Sequence, residues 1–510
     1  MKLSHKLTGL IIFLFYLLIN LIILPDYGLS WDYHNHYYAG LYHLGLPLPA
    51  ENTKIPFSDP DPRLTVNDPF GPFTQIIPAL SQTIFYNNWN LLPMDVSYNL
   101  PMVFFGSLGL LILYFFLLEI FGFLEAVIGT ISLGLMPPYF AYLHNNMKDI
   151  PNAVMFALAV YLFYRFTRNS SRLSLALALV AAAIAFNFKI NSVFVPVVCF
   201  LYYLTFGNKN NRHIFKYFLL VVPATLLLWW PFWQDPLAKL LQMPSFYSGN
   251  TLGMSVLLNG NFYQSGFNIP IYYPYWYLLI STPPPIIILS LIGVFVCTRN
   301  ILKGKREFSL FIFWFFVPLI RYLSPTAAAI DGVRHFMEVL FPLGSFAAIG
   351  GAAVYRIMTK KIRQKYPVTI LFLSAAFYSV LILIVFHPYQ ASYFNFLTAG
   401  ISGAQDKYDI DFWGTPQKEA VLWLNGIAPR GSFIHVVMAQ STAATYLRED
   451  LLENLNKRSI NDSDYTVLLN RRSFFPFYNV ESFKNEKIQK EKVLFSVTRY
   501  AVPLVWVFAK

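Results

Sequence analysis

Charge is scarce in this sequence. Of 510 residues only 13% are Asp, Glu, Lys or Arg, against 56% hydrophobic, with 49 Phe and 33 Tyr. A chain so composed cannot cover itself with a water-facing surface, which excludes a soluble globular protein and makes lipid its main solvent. Cysteine is nearly absent. Cys199 and Cys297 both stand in apolar runs, so there is neither a disulfide framework nor a CxxC metal signature. No HExxH or comparable ligand spacing occurs, and His34, His36 and His144 read better as satisfied polar groups than as metal ligands. Ionisable residues are also missing from nearly all the apolar spans. An ion-coupled transporter usually needs carboxylates, lysines or histidines at mid-membrane depth, so a lipid-linked glycan flippase or transporter is the alternative reading that this absence weakens. No internal repeat or low-complexity segment is evident.

What is present is a series of apolar segments, near 8–25, 98–118, 124–142, 150–166, 172–188, 190–206, 214–232, 274–297, 308–322, 337–355 and 367–386. Set against the ~20 residues that span hydrocarbon, these predict an α-helical polytopic membrane protein with about eleven crossings. The first follows Lys2 and Lys6 and lacks a small-residue cleavage site, so it reads as an uncleaved anchor. The 38 basic residues outnumber the 26 acidic ones. They fall in short loops, where they act as topology signals beside anionic lipid and do not call for nucleic acid. Arg165, Arg168 and Arg172, then Lys209, Arg212 and Lys216, then Arg299, Lys303, Lys305 and Arg306, and last Arg356, Lys360, Lys361, Arg363 and Lys365 occupy every second loop. The N-terminus is therefore expected in the cytoplasm, with 26–97, 143–150, 233–273, 323–336 and 387–510 outside it. This parity requires that 68–86, apolar but with Gln75, Gln82 and two early prolines, lie at the interface and not cross.

Two domains are expected, 1–386 in the membrane and a small extracytoplasmic α/β domain over 387–510. Thr415-Pro416 reads as an N-cap and first helical position, opening a helix that stops near Gly426. Short β-rich runs follow at 433–437, 465–469, 493–498 and 503–508, the last two as a hairpin, with a turn at Asn461 to Asp464 and a solvated charged stretch over 484–492.

Four polar clusters fall on the predicted outer side. They are Asp32 with His34, His36 and Tyr37; His144-Asn145-Asn146-Met147-Lys148-Asp149; Asp331-Gly332-Val333-Arg334-His335-Phe336-Met337-Glu338; and His387 to Asn395. A carboxylate beside aromatic rings at a membrane surface can be a general base. Lysine and arginine at headgroup depth can hold a phosphate, arginine with two prongs. Together they suit attack on a sugar carbon whose leaving group is a lipid phosphate. Blander readings stand beside these: Asp32 as the start of a helix, Lys148-Asp149 as an internal ion pair in an interfacial loop, Arg334-His335 as topological decoration, and His387 to Asn395 as a structural junction. A non-catalytic scaffold would leave the gathering of Asp32, Lys148, Asp149 and Arg334 on one face unexplained.

Asp32, Asn146 to Pro151, Asp331 to Phe336, His387-Pro388-Tyr389 with Tyr393-Phe394-Asn395, and Asp411-Phe412-Trp413-Gly414 before Lys418-Glu419-Ala420 occur in that order. In this the chain resembles bacterial family 39 glycosyltransferases, GT-C fold enzymes similar to protein O-mannosyltransferases and the lipid A aminoarabinose transferase. The resemblance implies inverting transfer of a sugar from a polyprenyl-phosphate donor at the extracytoplasmic face of the bacterial inner membrane, to a protein, lipid or glycan acceptor. Family members often carry an Asp-Glu pair in the first loop. Here Asp32 is followed by Tyr33, so Asp149 is expected to supply the second acid. On this reading Asp32 is the catalytic base, Lys148, Arg334 and His335 hold the donor phosphate, and His36, Tyr37, His144, Asn145 and Asp331 meet the acceptor or support the others. No cofactor is required, and any divalent ion would be auxiliary.

Overall fold

A computed structural model describes residues 3–50, 61–205, 212–249, 251–324 and 326–510. Lys209, counted above among the basic loops, lies outside the described residues. All eleven apolar segments are helical in whole or in large part. The helices are α1 (Leu3–Ile23), α2 (Tyr33–His43), α3 (Pro72–Gln82), α4 (Met94–Ile120), α5 (Phe123–Gly134), α6 (Pro137–Tyr142), α7 (Asp149–Asn169), α8 (Arg172–Phe188), α9 (Phe194–Thr205), α10 (Arg212–Leu227), α11 (Pro236–Gly249), α12 (Tyr273–Ser281), α13 (Pro284–Leu302), α14 (Glu307–Phe316), α15 (Leu340–Ile362) and α16 (Tyr366–Phe386).

Six described stretches are long and apolar enough to cross a membrane, and five further apolar helices have 10–17 residues. The chain is an integral membrane protein. Prolines and 3-10 turns account for the short pieces. The 124–142 segment breaks before Pro137, where a proline occupies the first helical position of α6, and 274–297 breaks at Pro283, between α12 and α13. In both cases the ring removes a backbone donor that the helix interior needs. The 68–86 stretch forms the eleven-residue α3 and then a π turn over Thr83–Asn88. At 1.5 Å per residue α3 reaches ~16 Å, about half the hydrocarbon thickness.

The bundle is organised around α7 and α15, whose apolar windows are mostly buried, while α1, α13 and α16 keep most of theirs exposed. α13 and α15 meet backbone to backbone. A Cβ on Gly293 would collide with the carbonyl of Phe346, and one on Gly350 with that of Leu289. Paired small residues allow such an approach where no hydrophobic effect drives helices together in lipid.

After α16 the chain enters the 387–395 stretch, which is tied back to earlier segments. His387 Nε2 lies 2.8 Å from Asp26 Oδ2, and Asn395 donates to the carbonyls of Leu279 and Thr282 at 2.7 and 2.9 Å. Beyond the short helix α17 (Gly400–Ala404), α18 (Gln417–Ile427) begins one residue past Pro416, which precedes the helix and is not inside it. The 233–273 loop holds α11 and a hairpin of β1 (Ser255–Leu258) and β2 (Asn261–Gln264). The C-terminal sheet has β3 (Ile434–Val437), β4 (Tyr465–Leu469), β5 (Val493–Arg499) and β6 (Val502–Ala509), in the order β3-β4-β6-β5. β3 and β4 are parallel, and β6 runs antiparallel to both of its neighbours, pairing Val467 with Val507 and Ser496 with Trp506. Central β6 is buried on nearly every residue, which explains its unbroken apolar run. The stretch expected to be merely solvated, 484–492, lies largely in a helix spanning Glu481–Gln489, which Lys484 helps to hold through a 2.7 Å pair with Glu481.

Candidate active site

Asp32 occupies the position before α2, yet its side chain makes no capping bond to that helix. Instead Oδ2 accepts from Lys148 Nζ at 2.7 Å and from Arg334 Nη1 at 3.3 Å, joining residues 116 and 302 positions apart. A third of the carboxylate side chain stays exposed. Burial would raise its pKa, but Lys148 and then Arg334 outweigh that effect and hold it well below the usual carboxylate range.

The Lys148 loop is set by one asparagine. Asn146 Oδ1 accepts from the backbone N–H of Lys148 at 3.2 Å and of Asp149 at 2.7 Å, and its Nδ2 donates to Asp149 Oδ2 at 2.8 Å. Such an Asx turn fixes local direction. It sends Lys148 to Asp32, and Asp149 to an ion pair with Lys189. The two neighbours therefore pair with different partners and not with each other.

Arg334 follows a turn whose first two residues, Asp331 and Gly332, have φ of +58° and +61°. Aspartate and glycine tolerate this left-handed region best among common residues. The turn lets Arg334 Nη2 meet Asp331 Oδ2 at 2.7 Å, while its Nε lies 3.9 Å from Asp149 Oδ2 and its guanidinium stacks 4.5 Å from the Trp413 ring. Lys148 Nζ sits 5.8 Å from the rings of both Trp413 and Phe70. Four cations, Lys148, Lys189, Arg334 and Arg471, thus face three carboxylates, Asp32, Asp149 and Asp331. The cations gathered around Asp32 and the aromatic walls suit an anion whose counterpart is a partly apolar group.

The other expected residues divide. His335 is at the site: its Nε2 lies 3.1 Å from Arg334 Nη2, so this nitrogen accepts and only Nδ1 can donate to a ligand. Its carbonyl accepts from Arg321 and from Asn191. His36 packs its ring 5.0 Å from Phe70, and burial, then Lys148, push its pKa down to about 3, leaving it neutral. Asp331 is buried and bridges Arg334 to Arg471. Tyr37, His144 and Asn145 are not brought to Asp32 by any direct bond. Tyr37 accepts from Asn87 at 3.1 Å; His144 stacks on Tyr27 at 3.7 Å and bonds the Phe140 carbonyl at 2.8 Å; Asn145 donates to Thr415 at 3.0 Å. Among the described residues no cluster of three or more metal-ligating side chains occurs.

Sequence reasoning missed Lys189, Arg321, Arg471 and the role of Trp413. Lys189 carried a signal, being the one charged residue between Arg172 and Lys209. Arg321 carried a fainter one, an isolated cation at an outer span end. Arg471 carried none.

Residues 72–233 match the dolichyl-phosphate-mannose-protein mannosyltransferase family, a stretch that includes Lys148, Asp149 and Lys189 but neither Asp32 nor Arg334. No curated protein sequence matches. Among solved structures, ArnT from Cupriavidus metallidurans bound to undecaprenyl phosphate is 12% identical with a TM-score of 0.51, covering 98% of this chain and 97% of its own. AglB from Archaeoglobus fulgidus, an archaeal oligosaccharyltransferase in complex with an inhibitory peptide and a dolichol-phosphate, is 11% identical with a TM-score of 0.52, covering 92% of this chain and 70% of its own. The chain thus has the GT-C fold over nearly all its length, and it is similar to membrane glycosyltransferases.

Proposed function

We propose that this protein is an inverting glycosyltransferase of the bacterial inner membrane that moves a sugar from a polyprenyl-phosphate donor to an acceptor on the extracytoplasmic face. The observation that carries the reading is the meeting of Asp32 with Lys148 and Arg334, brought from three separate loops to one partly exposed point. The relatives whose structures hold undecaprenyl phosphate or dolichol-phosphate support the class of donor.

The acceptor oxygen attacks the anomeric carbon as the carbon–oxygen bond to phosphate breaks. The bonding pair leaves on the phosphate oxygen, and the acceptor proton passes to the Asp32 carboxylate. Lys148, Arg334 and the His335 Nδ1–H bind the phosphate and stabilise its growing charge, so no separate acid is needed for the leaving group. Asp32 is a poor base while both cations hold it. A donor phosphate that takes up these cations releases the carboxylate, and its basicity rises when a substrate is present to use it. Asp149, locked to Lys189, keeps Lys148 and Arg334 facing Asp32. The alternation of basic loops supports a cytoplasmic N-terminus.

The test is incubation of the purified protein in lipid with a panel of polyprenyl-phosphate sugars, reading released polyprenyl phosphate. Turnover is expected for at least one donor, and Asp32→Asn is expected to lower it by ~10² to 10⁴ while the protein stays inserted. Near-normal turnover by this variant would move the base elsewhere, with Asp149 the first place to look.

A further inference from the structure

Arg334 is the donor-binding cation with the most carboxylates around it, since Asp32, Asp149 and Asp331 all approach its guanidinium. Three such partners would neutralise it and leave little field for a phosphate. The closest, Asp331, does not belong to Arg334 alone. Its Oδ2 meets Arg334 Nη2 at 2.7 Å, and its Oδ1 meets Arg471 Nη2 at the same distance. Arg471 comes from the turn after β4, 140 residues beyond Asp331, and both of these side chains are almost wholly buried. It is held in place independently of Asp331. Its Nη1 donates to the Phe412 carbonyl at 2.8 Å, and its guanidinium lies 3.8 Å from the Phe474 ring and 5.6 Å from that of Trp31. Phe412 precedes Trp413, whose ring Arg334 stacks on.

We infer that Arg471 is a positioning residue for donor binding: by taking one oxygen of Asp331 it divides that carboxylate between two arginines and leaves Arg334 able to accept a phosphate. The C-terminal α/β region is then part of the donor site and not only an appendage to it. A buried carboxylate with one arginine partner pairs with it in full. With two partners its charge is shared, and the group nearer the ligand keeps net positive charge. Losing Arg471 would leave Asp331 to neutralise Arg334.

The inference rests on the donor reading above, and the experiment separates the two. Binding of undecaprenyl phosphate, without sugar, is measured on the full chain in lipid for the wild type and for Arg334→Ala, Arg471→Gln, Arg471→Lys, Asp331→Asn, the Asp331→Asn/Arg471→Gln double variant, and Arg472→Gln. Arg472 pairs with exposed Asp406 and serves as a control for charge outside the site. Arg471→Gln is expected to weaken binding about tenfold, a coupling typical of one ion-pair network. Arg471→Lys, which keeps the charge, should recover part of this loss, and Arg472→Gln should change nothing. In the Asp331→Asn background the effect of Arg471→Gln should shrink to about twofold or less, because the carboxylate through which it acts is gone. Wild-type affinity in Arg471→Gln with a clear loss in Arg334→Ala would overturn the inference and leave the donor reading intact, as would an equal loss with and without Asp331, the mark of a packing role. If Arg471→Gln does not fold, Arg471→Lys decides: it should bind within a few-fold of wild type, and a loss as deep as that of Arg334→Ala would reject the charge argument. No binding by the wild type, or none lost in Arg334→Ala, would remove the donor reading and the inference with it.

Discussion

Helices α7 and α15 are buried in the bundle, while α1 and α16 lie along its edge, and the edge helices are the more hydrophobic of the two pairs. This inverts the rule for water-soluble proteins. Lipid rewards an apolar exterior, so the outer helices can be rich in Leu, Ile and Phe. The inner ones gain nothing further from apolarity and instead carry small residues for close packing and polar groups for function. Accordingly α7 opens on Asp149, α15 is entered through Arg334 to Glu338, and Gly344, Gly350 and Gly351 line the contacts of α15 with α5 and α13.

The sharpest way to break the comparison is to disturb a charge at an inner helix end. Lys189→Met leaves buried Asp149 with only the more distant Arg334, 3.9 Å away, and a loss of about 3 kcal/mol in stability is expected from breaking this buried pair. Adding Asp149→Leu should restore most of the stability but not activity. Thermal unfolding in nanodiscs with a turnover assay reads both, and an unchanged melting temperature in Lys189→Met would mean the pair carries no weight.

A smaller effect is expected at Asp411. Burial pushes its carboxyl up to about 6, despite hydrogen bonds from the Trp413 and Gly414 amides. Between its ordinary value and 6 the folded state binds more protons than the unfolded one, so stability falls as pH rises through this window. Asp411→Asn, which keeps the accepting oxygen, should remove that slope and gain no more than about 3 kcal/mol at pH 8, with little change at pH 4. Parallel slopes for the two proteins between pH 4 and 7 would place the titration in another group.

The electrostatic tie on Asp32 predicts a change of profile. Lys148→Ala should move the acid limb of kcat/KM upward, by about one to three pH units, because a cation that depresses the base is gone. An unmoved limb would separate Asp32 from the observed ionisation. The smallest effect belongs to the edge: Ile384, well exposed on α16, should tolerate alanine within about 0.5 kcal/mol. A loss above ~2 kcal/mol would show that another chain covers this face and that α16 is not an edge helix.

Much of this was legible in the chain. The eleven apolar segments, the four C-terminal strands with their final hairpin, and the gathering of Asp32, Lys148, Asp149 and Arg334 could all be read from pattern and from alternation of basic loops. Helix breaks at Leu135-Met136 and at Pro283 were not read, since a window of apolar residues averages over a local kink. Asn146 shows the limit at the site. Its presence beside Lys148 and Asp149 was visible, but its role in sending them to different partners follows from a backbone turn that composition does not encode.

By itself the sequence determined the solvent, through the scarcity of charge, and its basic loops set only an expectation for the side of the membrane on which its chemistry would be sought. Hydropathy and loop charge act locally, and local terms survive being read one segment at a time. Only the tertiary structure decided which cation meets which carboxylate. Lys148 and Arg334 stand 116 and 302 positions from Asp32, Lys189 stands 40 from Asp149, and Arg471 stands 140 from Asp331. Such separations are closed by helix packing and by the docking of the C-terminal sheet, not by any neighbour in the chain.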